Sequence, residues 1–219
     1  MPSDSLVSVF VFAFAVTFGA VISPGPVTAA ILSEAPRQGW QVGPLVASGH
    51  SMLELLMVVL ISVGITAGMA GPIPRLIIGS LGGLTLIGIG LSYVLAAIRG
   101  SIRLPDPQQR PAVGSYSKLA ALGVATTLSN PFWYVWWVTV AAGYLIQAQA
   151  FGLLTVAAFY VGHISADFAW DTFLSATASA GRRALSDRSY RALILLTGGF
   201  MVYLGGLFLA AALQLLGGK

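Results

Sequence analysis

The sequence predicts an all-α integral membrane protein: six transmembrane helices arranged as two inverted three-helix repeats, with helices 1 and 4 broken at prolines. Three observations predict it. Hydrophobic residues make up 57 % of the chain and charged residues only 8 %, where a soluble domain carries about 25 % charged residues. Six apolar runs are each long enough for a bilayer core, which takes about 20 residues per helix. The polar residues inside those runs fall into two matching sets.

The sets are Gly49-His50-Ser51-Met52-Leu53-Glu54 and Gly162-His163-Ile164-Ser165-Ala166-Asp167, and they hold both histidines of the chain. A proline-broken apolar run precedes each: Ser23-Pro24-Gly25-Pro26 in one case and Ser129-Asn130-Pro131 in the other. A glycine-rich run follows each, with Gly82, Gly83 and Gly88 after the first and Gly198, Gly199 and Gly205 after the second. Internal duplication around broken helices and midspan ionisable groups is a pattern of secondary transporters.

Taken in order, the first run covers 5–33. Met1-Pro2-Ser3-Asp4 lacks the basic start of a signal peptide, so this run is expected to be retained as a span. Proline removes a helix hydrogen bond and clashes with the preceding turn, so Pro24 and Pro26 should break the run. The second run, 44–67, carries His50 and Glu54 four residues apart, on one helix face. The third covers 75–98. The stretch 99–117 holds Pro105, Pro107, Pro111 and Gly114 and reads as a linker between a first repeat, 1–98, and a second, 118–219. The fourth run, 118–145, repeats the break at Asn130-Pro131. It is followed by Phe132, Trp133, Tyr134, Trp136 and Trp137. The fifth, 150–178, carries His163, Asp167 and Asp171 at steps of four, again one face. The sixth covers 190–215. Gly39 with Gly43, Gly64 with Gly68, and Gly79 with Gly83 are small-residue pairs of the kind that let helices approach closely in lipid. A homodimer could use these faces, and so could a single bundle.

Basic residues set the orientation. Arg37, Arg99, Arg103, Arg110, Lys118, Arg182, Arg183, Arg188 and Arg191 fall on one side, and Arg75 and Lys219 on the other. The positive-inside rule then puts connectors 33–43, 99–117 and 179–191 in the cytoplasm and both termini outside. Three spans per half is odd, so the second half enters the membrane upside down. The net charge of +4 is read as orientation, not as a nucleic-acid patch. Cysteine is absent, which removes disulfides and thiolate metal sites. No phosphate loop, serine elbow or zinc-protease motif occurs. Neither an enzyme nor a cofactor is expected.

Four acids, Asp4, Glu34, Asp106 and Asp187, fall in expected tails or connectors. Glu54, Asp167 and Asp171 fall inside spans. An ionised group at the bilayer centre costs roughly 3 kcal/mol or more, and no Lys or Arg lies midspan to neutralise these three. Their partners must be protonated histidine, free protons or a cationic substrate. The plainer alternative is that each His–acid pair staples its own helix. The helix breaks offer half-helix N-termini, which carry partial positive charge and suit a carboxylate. Their plainer alternative is a packing kink. Trp133, Trp136 and Trp137 share a face and could hold an ammonium by cation–π contact, or belong to an interfacial aromatic belt.

With Pro24-Gly25-Pro26 late in the first span, Arg37-Gln38-Gly39 and Gly43 after it, and Asn130-Pro131 in the fourth, the chain resembles the LysE-type translocator superfamily over its whole length. That superfamily includes exporters of lysine, arginine, homoserine and threonine. The resemblance implies a multi-pass secondary exporter of the bacterial or archaeal cytoplasmic membrane, moving small amino compounds outward against protons. Two features depart from it: Phe132 follows the Asn-Pro where many relatives have a basic residue, and the two Gly-His-x-x-x-acid elements are not typical.

The expected function is therefore proton-coupled export of an amino acid or related metabolite by alternating access. The cation would lie among Glu54, Asp167 and Asp171, its carboxylate at Pro24–Pro26, and the proton on a His–acid pair. The alternative is a divalent Ni, Co or Zn transporter using His50, Glu54, His163 and Asp167 as an N₂O₂ set.

Overall fold

The computed structural model describes residues 5–22, 25–64, 72–101, 115–181 and 186–215. Pro24, Gly68, the linker residues from Arg103 to Gly114, Arg182, Arg183, Asp4 and Lys219 lie outside them, as do the side chains of Arg75 and Pro131. The elements are α1 (Leu6–Val21), α2 (Pro26–Gln38), α3 (Val42–Ser62), α4 (Pro72–Ile98), α5 (Tyr116–Leu128) and α6 (Pro131–Trp136). A π-helical turn (Trp137–Ala141), α7 (Ala142–Gln149), α8 (Leu153–Ala180) and α9 (Asp187–Gln214) complete the order. Among the described residues there is no strand.

Hydropathy and length qualify four helices as membrane spans, within α3, α4, α8 and α9. Counting α1 and α2 as one bent span makes five. Among the described residues a sixth expected span does not stand out, and the reason is the fourth run. Residues 118–145 fold as α5, a break at Ser129–Asn130, then the short α6, a π turn and α7, none of them span-length alone. The first run breaks where the prolines stand: α1 and α2 meet at 78°. Gly25 is extended (φ −148°) and Pro26 opens α2, where its missing N–H costs nothing. Glu34, expected in a connector, lies inside α2. Its carboxylate accepts from Gln38 Nε2 at 2.7 Å and from Tyr93 Oη at 3.3 Å.

Glycine decides which helices touch. A Cβ on Gly49 of α3 would strike the Ala120 carbonyl of α5, and one on Gly123 of α5 would strike the Val46 carbonyl of α3. A Cβ on Gly162 of α8 would strike the Phe10 carbonyl of α1. The glycine before each histidine is thus a point where backbones meet, α3 on α5 and α8 on α1. Gly43 serves likewise against Asp171 of α8.

α4 and α9 form a separate antiparallel pair. Cβ atoms on Gly83 and Gly205 would each lie within 2.7 Å of the other's carbonyl oxygen, and Gly90 and Gly198 match within 2.8 Å. Gly79 sits against Ala212. These glycines are consumed inside one bundle. Gly64 is different: nothing lies within 4 Å of its Cβ position, and its φ of +78° is the left-handed conformation that glycine adopts without strain. The pair α4–α9 packs on α2 through a cluster of Ala29, Leu86, Met201 and Phe208.

Candidate functional site

Glu54, one turn after His50 on α3, is the centre of the site and 1 % exposed. Its Oε1 accepts from His163 Nε2 at 2.8 Å and lies 3.0 Å from His50 Nε2. The Trp133 indole N–H points at the same oxygen from 3.4 Å. The two histidines, 113 residues apart in sequence, therefore converge on one carboxylate oxygen. Asp167 stands beside them, with Oδ1 3.9 Å from His50 Nε2 and Oδ2 3.7 Å from His163 Nε2. Those are ion-pair distances, too long for hydrogen bonds.

The outer nitrogen of each ring is held by a threonine. His50 Nδ1 lies 2.7 Å from Thr127 Oγ1 of α5. His163 Nδ1 lies 2.5 Å from Thr17 Oγ1 of α1. The register is the same in both cases. Gly162 meets Phe10, and the threonine is seven residues on, at Thr17; Gly49 meets Ala120, and the threonine is seven residues on, at Thr127. Seven residues make about two helical turns, which returns to the same face. Each glycine sets the helix contact, and each threonine two turns along receives the next residue's ring.

A cavity of about 490 Å³ opens onto this centre. His50, Glu54, His163, Asp167 and Asp171 line it, with Trp133 and Trp136. Gly25 and Pro26 of the first break and Asn130 of the second also line it. Pro24 and the side chain of Pro131 lie outside the described residues; the other expected site residues are brought together, with Trp137 as the exception. It starts the π turn, is fully buried beside Phe159 and Leu145, and meets His163 from outside the cavity at a ring distance of 5.0 Å. Trp136 packs on the same imidazole at 4.8 Å.

The two breaks differ. Asn130 caps α6, its Oδ1 accepting from Phe132 N at 3.1 Å. Gly25 leaves α2 without a side-chain cap, and Val27 and Thr28, whose amides are in that first turn, line the cavity. Free N–H groups at a helix start are a ready anion site. Oppositely charged ground lies close by: Glu54 Oε2 and Asp167 Oδ2 are buried with no hydrogen-bond partner among the described residues. A buried carboxylate oxygen without a hydrogen bond is costly, and a proton or a cation would satisfy it. His50, Glu54 and Asp167 each offer a donor atom, all within 4.8 Å of one another, which is also compact enough for a metal ion.

Sequence reasoning missed Thr17 and Thr127. The available signal was weak: a hydroxyl in each broken helix shortly before its break.

A LysE type translocator family model matches residues 18–212. The chain belongs to the LysE type translocator family. The match spans both helix breaks and both His–acid elements, and the members of this family are membrane transporters rather than enzymes. Several apolar helices and the family together make this LysE-type protein a multi-pass membrane protein. No match was found among curated proteins or solved structures.

Proposed function

We propose that this LysE-type translocator exports an amino acid or related small metabolite across the cytoplasmic membrane, coupled to protons, by alternating access. One observation carries the reading: a single cavity holds both an uncapped helix start and two acids, Glu54 and Asp167, that each keep a buried oxygen without a hydrogen-bond partner among the described residues. A zwitterion has one group for each. Its carboxylate meets the Val27 and Thr28 amides. Its ammonium meets Asp167, Asp171 or Glu54 beside the Trp133 and Trp136 faces, where cation–π attraction adds about 0.5–2 kcal/mol. The histidines supply groups that titrate near neutral pH.

Alternating access follows from two inverted halves, 1–98 and 118–219, joined by the linker. The shared register of Gly49–Ala120–Thr127 and Gly162–Phe10–Thr17 supports that duplication. On this reading α5 to α7 is the fourth, interrupted span and completes the six, and connectors 33–43, 99–117 and 179–191 face the cytoplasm with both termini outside. A homodimer would need a face other than Gly79 and Gly83, which α9 already covers.

A divalent-metal transporter is the second reading, favoured by the compact His50, Glu54 and Asp167 donors, with His163 adjacent. Efflux from proteoliposomes loaded with mixed amino acids and with Ni²⁺, Co²⁺ and Zn²⁺, under an imposed pH gradient, separates the two. Selective amino-acid loss is expected. Loss of metal alone would overturn the exporter reading.

A further inference from the structure

Thr17 and Thr127 occupy matching positions but have different hydrogen bonds to give. The Thr127 hydroxyl donates to the Gly123 carbonyl at 2.7 Å. A threonine hydroxyl has one proton, so with that proton committed its oxygen can only accept from His50 Nδ1. That nitrogen must then carry a hydrogen. Nε2 of the same ring faces Glu54 Oε1 at 3.0 Å, a contact that also calls for a hydrogen, and since that oxygen already accepts from His163 Nε2 and Trp133 Nε1 the ring is the donor. Thr17, by contrast, has His163 Nδ1 as its one hydroxyl partner among the described residues. Its proton is free to point at that nitrogen, and His163 needs a hydrogen only on Nε2, toward Glu54.

We propose that the two histidines, alike in sequence context, are held in different forms: His50 as the doubly protonated imidazolium, and His163 as the neutral ring with its hydrogen on Nε2. Thr127 is the positioning residue that sets the difference. The close approach of the two rings favours a single positive one. Two imidazoliums within 3.0 Å of one carboxylate oxygen would repel each other at close range. His50 is faced by Glu54 from its own helix, by Asp167, Asp171 and His163 from α8, by Thr127 from α5 and by the Trp133 indole from α6. It is also the ring nearer the cavity, its side chain 12 % exposed against 3 % for His163. The inference goes beyond the exporter reading and does not depend on it. If that reading holds, the proton that moves during transport sits on His50, and His163 is a fixed donor.

The test uses the full-length protein, labelled with ¹⁵N-histidine, in lipid bilayers at about pH 7, near the range where histidine normally titrates. Solid-state NMR distinguishes protonated from bare ring nitrogens. The chain has two histidines, and each ring is assigned through the residue that follows it, Ser51 or Ile164. Two protonated nitrogens are expected for His50, and one protonated with one bare nitrogen for His163. Two neutral rings, two imidazoliums, or the imidazolium on His163 would overturn the proposal from the wild-type spectrum alone. Thr127→Val should abolish the imidazolium signature, Thr127→Ser should restore it, and Thr17→Val should leave it in place. An imidazolium that persists in Thr127→Val would remove Thr127 from its assigned role. The readout needs no substrate, so a failure here is separable from a failure of the transport assay.

Discussion

Gly25 and Asn130, the turning points of the two broken segments, face each other: a Cβ built on Gly25 would lie 3.9 Å from Asn130 Nδ2. Asn130 spends its Oδ1 on capping α6, which leaves its amide N–H groups on the side of Gly25. Together with the uncapped start of α2, they make a donor-rich corner in a cavity that otherwise holds three acids.

Asn130→Asp tests that corner. The substituted carboxylate can still cap α6, so the fold should persist, but donors become a negative charge. Substrate affinity in reconstituted vesicles should fall by a factor of ten or more, since loss of a charge-assisted hydrogen bond is worth about 1.5–3 kcal/mol. Asn130→Ala should instead lower stability by about 1 kcal/mol through the lost cap. Unchanged affinity in Asn130→Asp would leave the corner as a packing kink.

Gly25→Val probes the same place by size. Its backbone, extended at φ −148°, admits any residue. The added methyls would point toward Asn130 and occupy cavity space. Transport should drop strongly while thermal unfolding in detergent stays near wild type. Full transport in this variant would remove the first break from the substrate path.

Glu54→Gln and Asp167→Asn should each abolish transport and still elute as folded protein on size exclusion. Gln at 54 keeps the shape but weakens two charge-assisted hydrogen bonds from histidine, and Asn at 167 removes the charge of a carboxylate whose Oδ2 has no hydrogen-bond partner among the described residues. Normal flux in both variants would sink the site.

The histidines should separate kinetically. If His50 carries the mobile proton, His50→Gln flattens the dependence of transport rate on pH. His163→Gln lowers the rate but leaves the shape of the profile. Flux measured between about pH 5 and 8, where an ordinary histidine titrates, decides this. Equal effects on the profile would contradict the assigned division of labour.

Packing gives a further contrast. Gly49→Ala and Gly162→Ala place a methyl against a backbone carbonyl, and overpacking of this kind costs about 1–3 kcal/mol. Gly199→Ala meets nothing within 4 Å and should be neutral. Thermal melts of the three variants in one detergent should separate the first two from the third. Equal melting temperatures would mean that these helices are not in contact at the histidine glycines.

Composition and periodicity were enough to name the membrane setting, most spans, both helix breaks and the cavity-lining set His50, Glu54, His163, Asp167 and Asp171. An apolar chain with isolated acids has few ways to place them, and steps of four residues put them on one face of a helix whatever it packs against. The interrupted fourth run was half legible. Asn130-Pro131 announces a break, but a π turn at Trp137–Ala141 leaves no mark in hydropathy. Glu34 was misplaced for a similar reason: a polar residue after an apolar run reads as a loop, although α2 continues to Gln38.

The tertiary structure alone decided the partners. Periodicity says which residues share a face of one helix and is silent on which helix comes to meet that face. Gly49 and Gly162 admit α5 and α1 because a missing Cβ lets backbones close, and only then do Thr127 and Thr17 reach the rings. The sharing of one Glu54 oxygen by two histidines, the capped α6 beside the uncapped α2, and the withdrawal of Trp137 from the cavity all depend on distances across the bundle. Such distances arise from the packing of helices far apart in sequence, a property that no local pattern of residues encodes.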